Sequence, residues 1–149
     1  MKVYPDTSFL VSWLYANDRN HQKAAAWFAA HQTDDWIVSP WAEFETVNTL
    51  RGLTLQSPGP KPAAMETRRR YFKHLFQVGP LERGTVEWLE VLKDANQISA
   101  ALATRYKARS ADVLHVAILE QLNPDVFVTF DHDQSVLAVQ RGFVAQLIR

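Results

Sequence analysis

Ser110-Ala-Asp-Val-Leu-His-Val-Ala-Ile-Leu-Glu-Gln-Leu122, followed shortly by Asp125-Val-Phe-Val-Thr129-Phe-Asp131, decides the fold. The first segment opens on a serine able to cap a helix from Ala111 to Leu122, and that helix is apolar nearly all round, so it belongs deep in a core. The second is a short apolar run without polar alternation, the pattern of a strand buried on both faces of a parallel sheet, over Asp125–Thr129. A buried helix leading into a buried strand predicts a sheet covered by helices.

Working outward, the same alternation recurs. Strands are expected at Lys2–Pro5, Trp36–Ser39 and Phe143–Ile148. Helical patterns lie between them at Ser8–Tyr15, His21–His31, from the Ser39-Pro40 cap to about Leu55, at Ala64–Phe76, Asp94–Tyr106 and Asp133–Arg141. Proline in the first turn of the third helix and Gly142 after the last mark boundaries. Trp41, Phe44 and Val47 are expected to form the third helix's buried stripe. Gln56-Ser-Pro-Gly-Pro-Lys-Pro62 holds three prolines and a glycine and must be a loop. The prediction is a three-layer α/β sandwich with a mainly parallel central sheet of four to five short strands, forming one domain over 1–149.

Composition narrows the chemistry. Among the 149 residues there is no cysteine, which excludes disulfides, thiolate nucleophiles and cysteine-bound zinc. Pro5 and Asp6 interrupt any apolar signal segment, and no stretch reaches the ~18 apolar residues of a membrane span, so a soluble cytoplasmic protein without membrane contact is expected. Sixteen basic residues balance sixteen acidic ones, so nucleic-acid binding would need a local basic patch.

In a parallel sheet, ligands bind beyond the carboxyl ends of the strands. Asp6 follows the first strand and Asp131 the third. Glu43 and Glu45 open the helix after the second strand, and Asp112 sits in the first turn of the buried helix. Singly, each has an ordinary explanation: a turn former, a complement to the helix dipole worth about 0.3–1 kcal/mol, or a solvated side chain. Together they would repel unless cations neutralise them. Oxygen-only donors point to a hard cation, Mg²⁺ or Mn²⁺, and so to attack of water on a phosphodiester. At about 100° per residue, Glu43 and Glu45 flank Phe44 equally, so periodicity does not choose between them. Asn48, on the same side as Glu45, tips the reading to Glu45. Asp133 is the alternative to Asp131, which leaves the strand directly.

Four segments in this order resemble the PIN-domain nucleases, and within them the VapC-like toxins: Asp6-Thr7-Ser8; Ser39-Pro40 with Glu45-Thr-Val-Asn48-Thr-Leu-Arg51; Arg109-Ser-Ala-Asp112-Val-Leu-His115-Val-Ala117; and Thr129-Phe-Asp131 with Gln134 and Leu137-Ala138. The resemblance implies an endoribonuclease with Asp6, Glu45, Asp112 and Asp131 around Mg²⁺ or Mn²⁺. Asp6 and Asp112 would be the principal ligands, with Ser8 and Thr129 assisting through their hydroxyls. It also implies a homodimer, an RNA substrate and a small antitoxin as partner.

Arg68, Arg69, Arg70 and Lys73, with His74, form the densest basic patch and are candidate RNA contacts, as is Arg109 beside the acidic motif. Against them stands the simpler reading of a solvated helix face. His115, three residues past Asp112, is expected to be a satisfied core histidine. Two competing functions remain: a non-catalytic RNA- or protein-binding domain, and a phospho-acceptor or phosphatase-like α/β domain. The second would pair two aspartates two residues apart after the first strand, where this chain has Asp6-Thr7-Ser8.

Overall fold

Five short strands form one sheet, and every neighbouring pair is parallel. The computed structural model describes residues 1–149. In chain order the elements are β1 (Lys2–Pro5), α1 (Thr7–Leu14), α2 (His21–Ala30), β2 (Asp35–Val38), α3 (Pro40–Gly52), α4 (Pro62–Val78), β3 (Leu81–Arg83), α5 (Trp88–Leu102), α6 (Ser110–Leu122), β4 (Val126–Thr129), α7 (His132–Gln140) and β5 (Ala145–Leu147). A single 3-10 turn, Leu53–Leu55, continues α3. No helix is long and apolar enough to cross a membrane.

The strand order is β3-β2-β1-β4-β5. The chain therefore winds one way from β1 through β2 to β3, then returns to the other side of β1. With right-handed crossovers, that reversal puts the helices on opposite faces. The packing agrees: α1 rests on α2 and α3, and α3 on α4, whereas α6 lies between α5 and α7. The order reverses between β1 and β4, and a sheet of this kind opens its ligand crevice there.

Three strands run straight into helix caps at this edge. Asp6, Ser39 and Asp131 end β1, β2 and β4 and cap α1, α3 and α7 with their side-chain oxygens. The Asp6 amide also donates to the Val128 carbonyl at 3.1 Å, extending the β1–β4 ladder up to the acid itself. Tyr4, Trp36, Phe127, Ile118 and Leu119 fill the core from both faces of the sheet.

Four expectations need correction. β3 was not predicted; it is an edge strand of three residues in which only Leu81 is buried, so it carries no apolar run. α5 starts at Trp88, not Asp94, because exposed Trp88, Leu89 and Leu92 mask the buried line of Val91 and Ile98. α4 is longer than Ala64–Phe76 at both ends, beginning at Pro62, whose fixed φ suits a first helical position. The stripe of α3 is Ala42, Thr46 and Leu50, while Phe44 is mostly exposed and packs beside Trp41. Aromatic character there misled the periodicity.

Candidate active site

Asp6 is fully buried at the seam between β1 and β4. Ser8 Oγ lies 2.8 Å from both of its carboxylate oxygens, the Thr129 hydroxyl donates to Oδ2 at 2.7 Å, and the Phe9 amide donates to Oδ1 at 2.8 Å. Burial pushes this carboxyl above its ordinary range, and these donors only partly offset the effect. Thr129 and Ser8 are fixed in turn, since the Asp131 amide donates to Thr129 Oγ1 at 2.8 Å and the Phe130 amide to Ser8 Oγ at 2.9 Å.

Asp112, also buried, sits in the first turn of α6. Its Oδ2 accepts from the Arg109 amide at 3.0 Å, so it completes the start of its own helix. The same Oδ2 accepts from Arg109 Nε at 3.0 Å, and Oδ1 accepts from Gln134 Nε2 at 3.1 Å. Arg109 Nη2 reaches on to Asp131 Oδ2 at 2.9 Å, while Asp131 Oδ1 caps α7. One guanidinium thus links the acid of α6 to the acid after β4, and both carboxylates hold the Arg109 pKa above its usual value.

Glu45 projects from α3 into the same region. Its Oε2 accepts from Thr7 Oγ1 at 2.7 Å and lies 2.7 Å from His115 Nε2. Burial alone would raise this carboxyl, but the hydrogen bonds from His115 and Thr7 outweigh it, and the group is held below its usual range. Tyr4, in contrast, is a buried phenol whose pKa is pushed far up by desolvation.

A cleft of about 490 Å³ opens over these groups, and Ser8, Glu45, Asp112, Asp131, Arg109 and Gln134 line it. Asp6 lies directly behind Ser8. Glu43 points elsewhere: it forms a bidentate pair with Arg83 at 2.8 and 3.0 Å, and Arg83 stacks on Phe76. Asp133 occupies the first turn of α7, with Lys107 Nζ 3.9 Å away. The basic run of α4 does not line the cleft. Arg69 and Arg70 both pair with Glu66, while Arg68 and Lys73 are exposed. Arg68 and Lys61 border a smaller hollow against Tyr15–Asn17, the loop that continues to the cleft residues Asp18–Asn20.

Sequence reasoning missed Thr7, Arg19, Asn20 and Thr49 as cleft residues, and the Gln134–Asp112 contact. Nothing in periodicity marks a loop residue such as Arg19 as facing a site on another element. Gln134 carried a signal, a polar residue in the buried stripe of a helix next to Leu137 and Ala138.

The donors facing the cleft are carboxylate and hydroxyl oxygens, which suit a hard divalent cation. In this arrangement no three His, Asp or Glu side chains converge closely enough to hold one ion, and Arg109 supplies the countercharge to Asp112 and Asp131. Its side chain is 64% exposed on the side away from these two acids. The buried Gln134 Oε1 has no hydrogen-bond partner and marks an acceptor left open in the cleft wall.

The profile of the PIN domain matches residues 3–140. Comparison with curated protein sequences gives no match. Among solved structures, the toxin VapC20 of Mycobacterium tuberculosis, described as cleaving the sarcin–ricin loop, is 17% identical; the alignment covers 95% of this chain and 96% of that one, with a TM-score of 0.61. FitAB bound to a DNA fragment gives 17% identity, coverage of 97% and 94%, and a TM-score of 0.65. The protein PAE2754 of Pyrobaculum aerophilum gives 14%, 97% and 83%, and 0.60. These likenesses show a shared fold, and with a family match over nearly the whole chain, the protein belongs to the PIN-domain family.

Proposed function

We propose that this chain is a metal-dependent endoribonuclease, the toxin of a toxin–antitoxin pair. The observation that carries the reading is the gathering of Glu45, Asp112 and Asp131 in one cleft, with Asp6 hydrogen-bonded to the cleft residue Ser8, at the crevice where the strand order reverses. Asp6 and Asp112 are the residues that would hold Mg²⁺ or Mn²⁺, with Asp131 beside them and Ser8 and Thr129 orienting Asp6. Such an ion supplies a hydroxide from bound water and countercharge for the leaving oxygen. The chain's own part is to aim the carboxylates: Ser8, Thr129 and the Phe9 amide hold Asp6, Arg109 and Gln134 hold Asp112, and Thr7 and His115 hold Glu45. Arg109, exposed beside the acids, and Arg19, which also lines the cleft, would hold the phosphodiester.

The competing phospho-acceptor reading requires Asp6 as a nucleophile. Such domains pair two aspartates two residues apart after the first strand, and here Asp6 is followed by Thr7 and Ser8. The family and the FitAB and VapC20 likenesses support a small protein antitoxin as partner; a homodimer and a cytoplasmic setting complete the reading. RNA cleavage with added Mg²⁺ or Mn²⁺, abolished by EDTA and by Asp6→Asn, tests the activity. Co-purification of the product of a neighbouring small reading frame tests the partner.

A further inference from the structure

His115 is fully buried beneath the cleft, yet it touches two of its elements. Nε2 lies 2.7 Å from Glu45 Oε2, and Nδ1 lies 2.9 Å from the Tyr4 hydroxyl. Tyr4 OH lies 2.8 Å from Ser39 Oγ, which accepts from the Ala42 amide at 3.0 Å. The Glu45 carboxylate is an acceptor only, so Nε2 must carry a hydrogen. If Nδ1 is then the acceptor, Tyr4 donates to it, Ser39 donates to Tyr4, and every hydrogen in this buried chain is used. A second hydrogen on Nδ1 would reverse both hydroxyls and leave the Ser39 hydrogen without a partner, a costly state in an interior with no exposure.

We propose that Tyr4 and His115 are positioning residues, a buried relay that aims Glu45 into the cleft and locks it in place relative to Asp112. His115 and Asp112 are three residues apart on α6 and share a side of that helix. Glu45 comes from α3, on the other face of the sheet. The relay runs from the cap of α3 through β1 to α6 and back to α3, so two cleft acids carried by helices on opposite faces are held in one geometry. Orienting partners of this kind are worth about 10–100-fold in activity. The inference rests on the ribonuclease reading for its kinetic consequence, and on hydrogen bonding alone for its geometry.

The test uses the full chain. His115→Leu lowers kcat for RNA cleavage by about 10–100-fold with the RNA Kd unchanged. His115→Gln, whose amide can occupy the Nε2 position, restores most of that loss, and Tyr4→Phe loses less than His115→Leu. Imidazole ¹⁵N NMR finds the His115 proton on Nε2, and its signal shifts in Glu45→Gln. A His115→Gln variant as impaired as His115→Leu, with both falling only in proportion to a lowered Tm, would reduce His115 to core packing and overturn the relay. Should wild type cleave no RNA, the proposed activity fails while the NMR result still decides the relay. A proton on Nδ1, or a signal indifferent to Glu45→Gln, overturns it.

Discussion

Asp6 carries two roles that pull against each other. As the cap of α1 it accepts the Phe9 amide, a contact asparagine would keep; as a fully buried carboxylate it is held at a cost. Its folded pKa is raised above 3.8, so its contribution to stability falls as pH rises through the raised value. In EDTA at neutral pH, Asp6→Asn is therefore expected to raise the Tm, by about 2–4 °C for each 1 kcal/mol of burial relieved, while abolishing cleavage. The gain shrinks as pH falls through the raised value toward 3.8, below which the wild-type carboxyl is protonated folded and unfolded alike. A Tm loss at neutral pH shown by thermal unfolding contradicts this account of Asp6. Glu45 has the opposite sign: its folded pKa is depressed, so its contribution is present above 4.5 and lost as pH falls through the lower folded value. Glu45→Gln should lose at least ten-fold in kcat. Glu43→Gln, which breaks only a surface pair with Arg83, should change stability by about 0–1 kcal/mol and leave kcat within about two-fold. Cleavage assays on the two variants separate them. The residue types of the site were readable from sequence because an acid after an apolar strand is conspicuous. Helical periodicity alone cannot say which glutamate faces the cleft, because it centres on Phe44, midway between Glu43 and Glu45; the choice of Glu45 comes from Asn48.

At the scale of elements, α6 does most to shape the site. It supplies Asp112 at its first turn and His115 one turn on, and it anchors both with Val116, Ala117, Ile118 and Leu119, all fully buried. It stops at Asn123, the one non-glycine residue with positive φ (43°), before Pro124 and β4. Asn123→Gly should be neutral or slightly stabilising, while Asn123→Val should cost about 1–2 kcal/mol, measured by urea unfolding. Equal effects of the two would show that the left-handed turn is not what ends α6. Elements with a strong, uniform pattern, α6 and β4 above all, were legible almost to their boundaries. Those at the margins were not: β3 buries one side chain, and the exposed apolar residues of α5 obscure its period. Both fail for one reason: their place is fixed by what they pack against, not by their own sequence.

For the whole molecule, the decisive fact is a parallel sheet whose order reverses between β1 and β4, bringing acids separated by up to 125 positions to one crevice. Net charge is zero, so attraction for RNA must be local. Of the basic residues singled out in the sequence, Arg69 and Arg70 share Glu66 and Arg109 lines the cleft with Arg19, while Lys61 and Arg68 border the neighbouring hollow. Arg19→Ala and Arg68→Ala should each weaken RNA binding and reduce the slope of log K against log salt by about 1, with binding measured on the metal-free protein. Unchanged slopes would move the RNA path elsewhere. The central claim, that the crevice acids form the catalytic centre of a metal-dependent ribonuclease, is tested most directly by RNA cleavage with wild type and Asp112→Asn, each with Mg²⁺ or Mn²⁺ and with EDTA. The account predicts cleavage by wild type with metal alone and none by Asp112→Asn in either condition, with both proteins folded. Asp112→Asn cleaving as well as wild type, or wild type cleaving equally in EDTA, would contradict it.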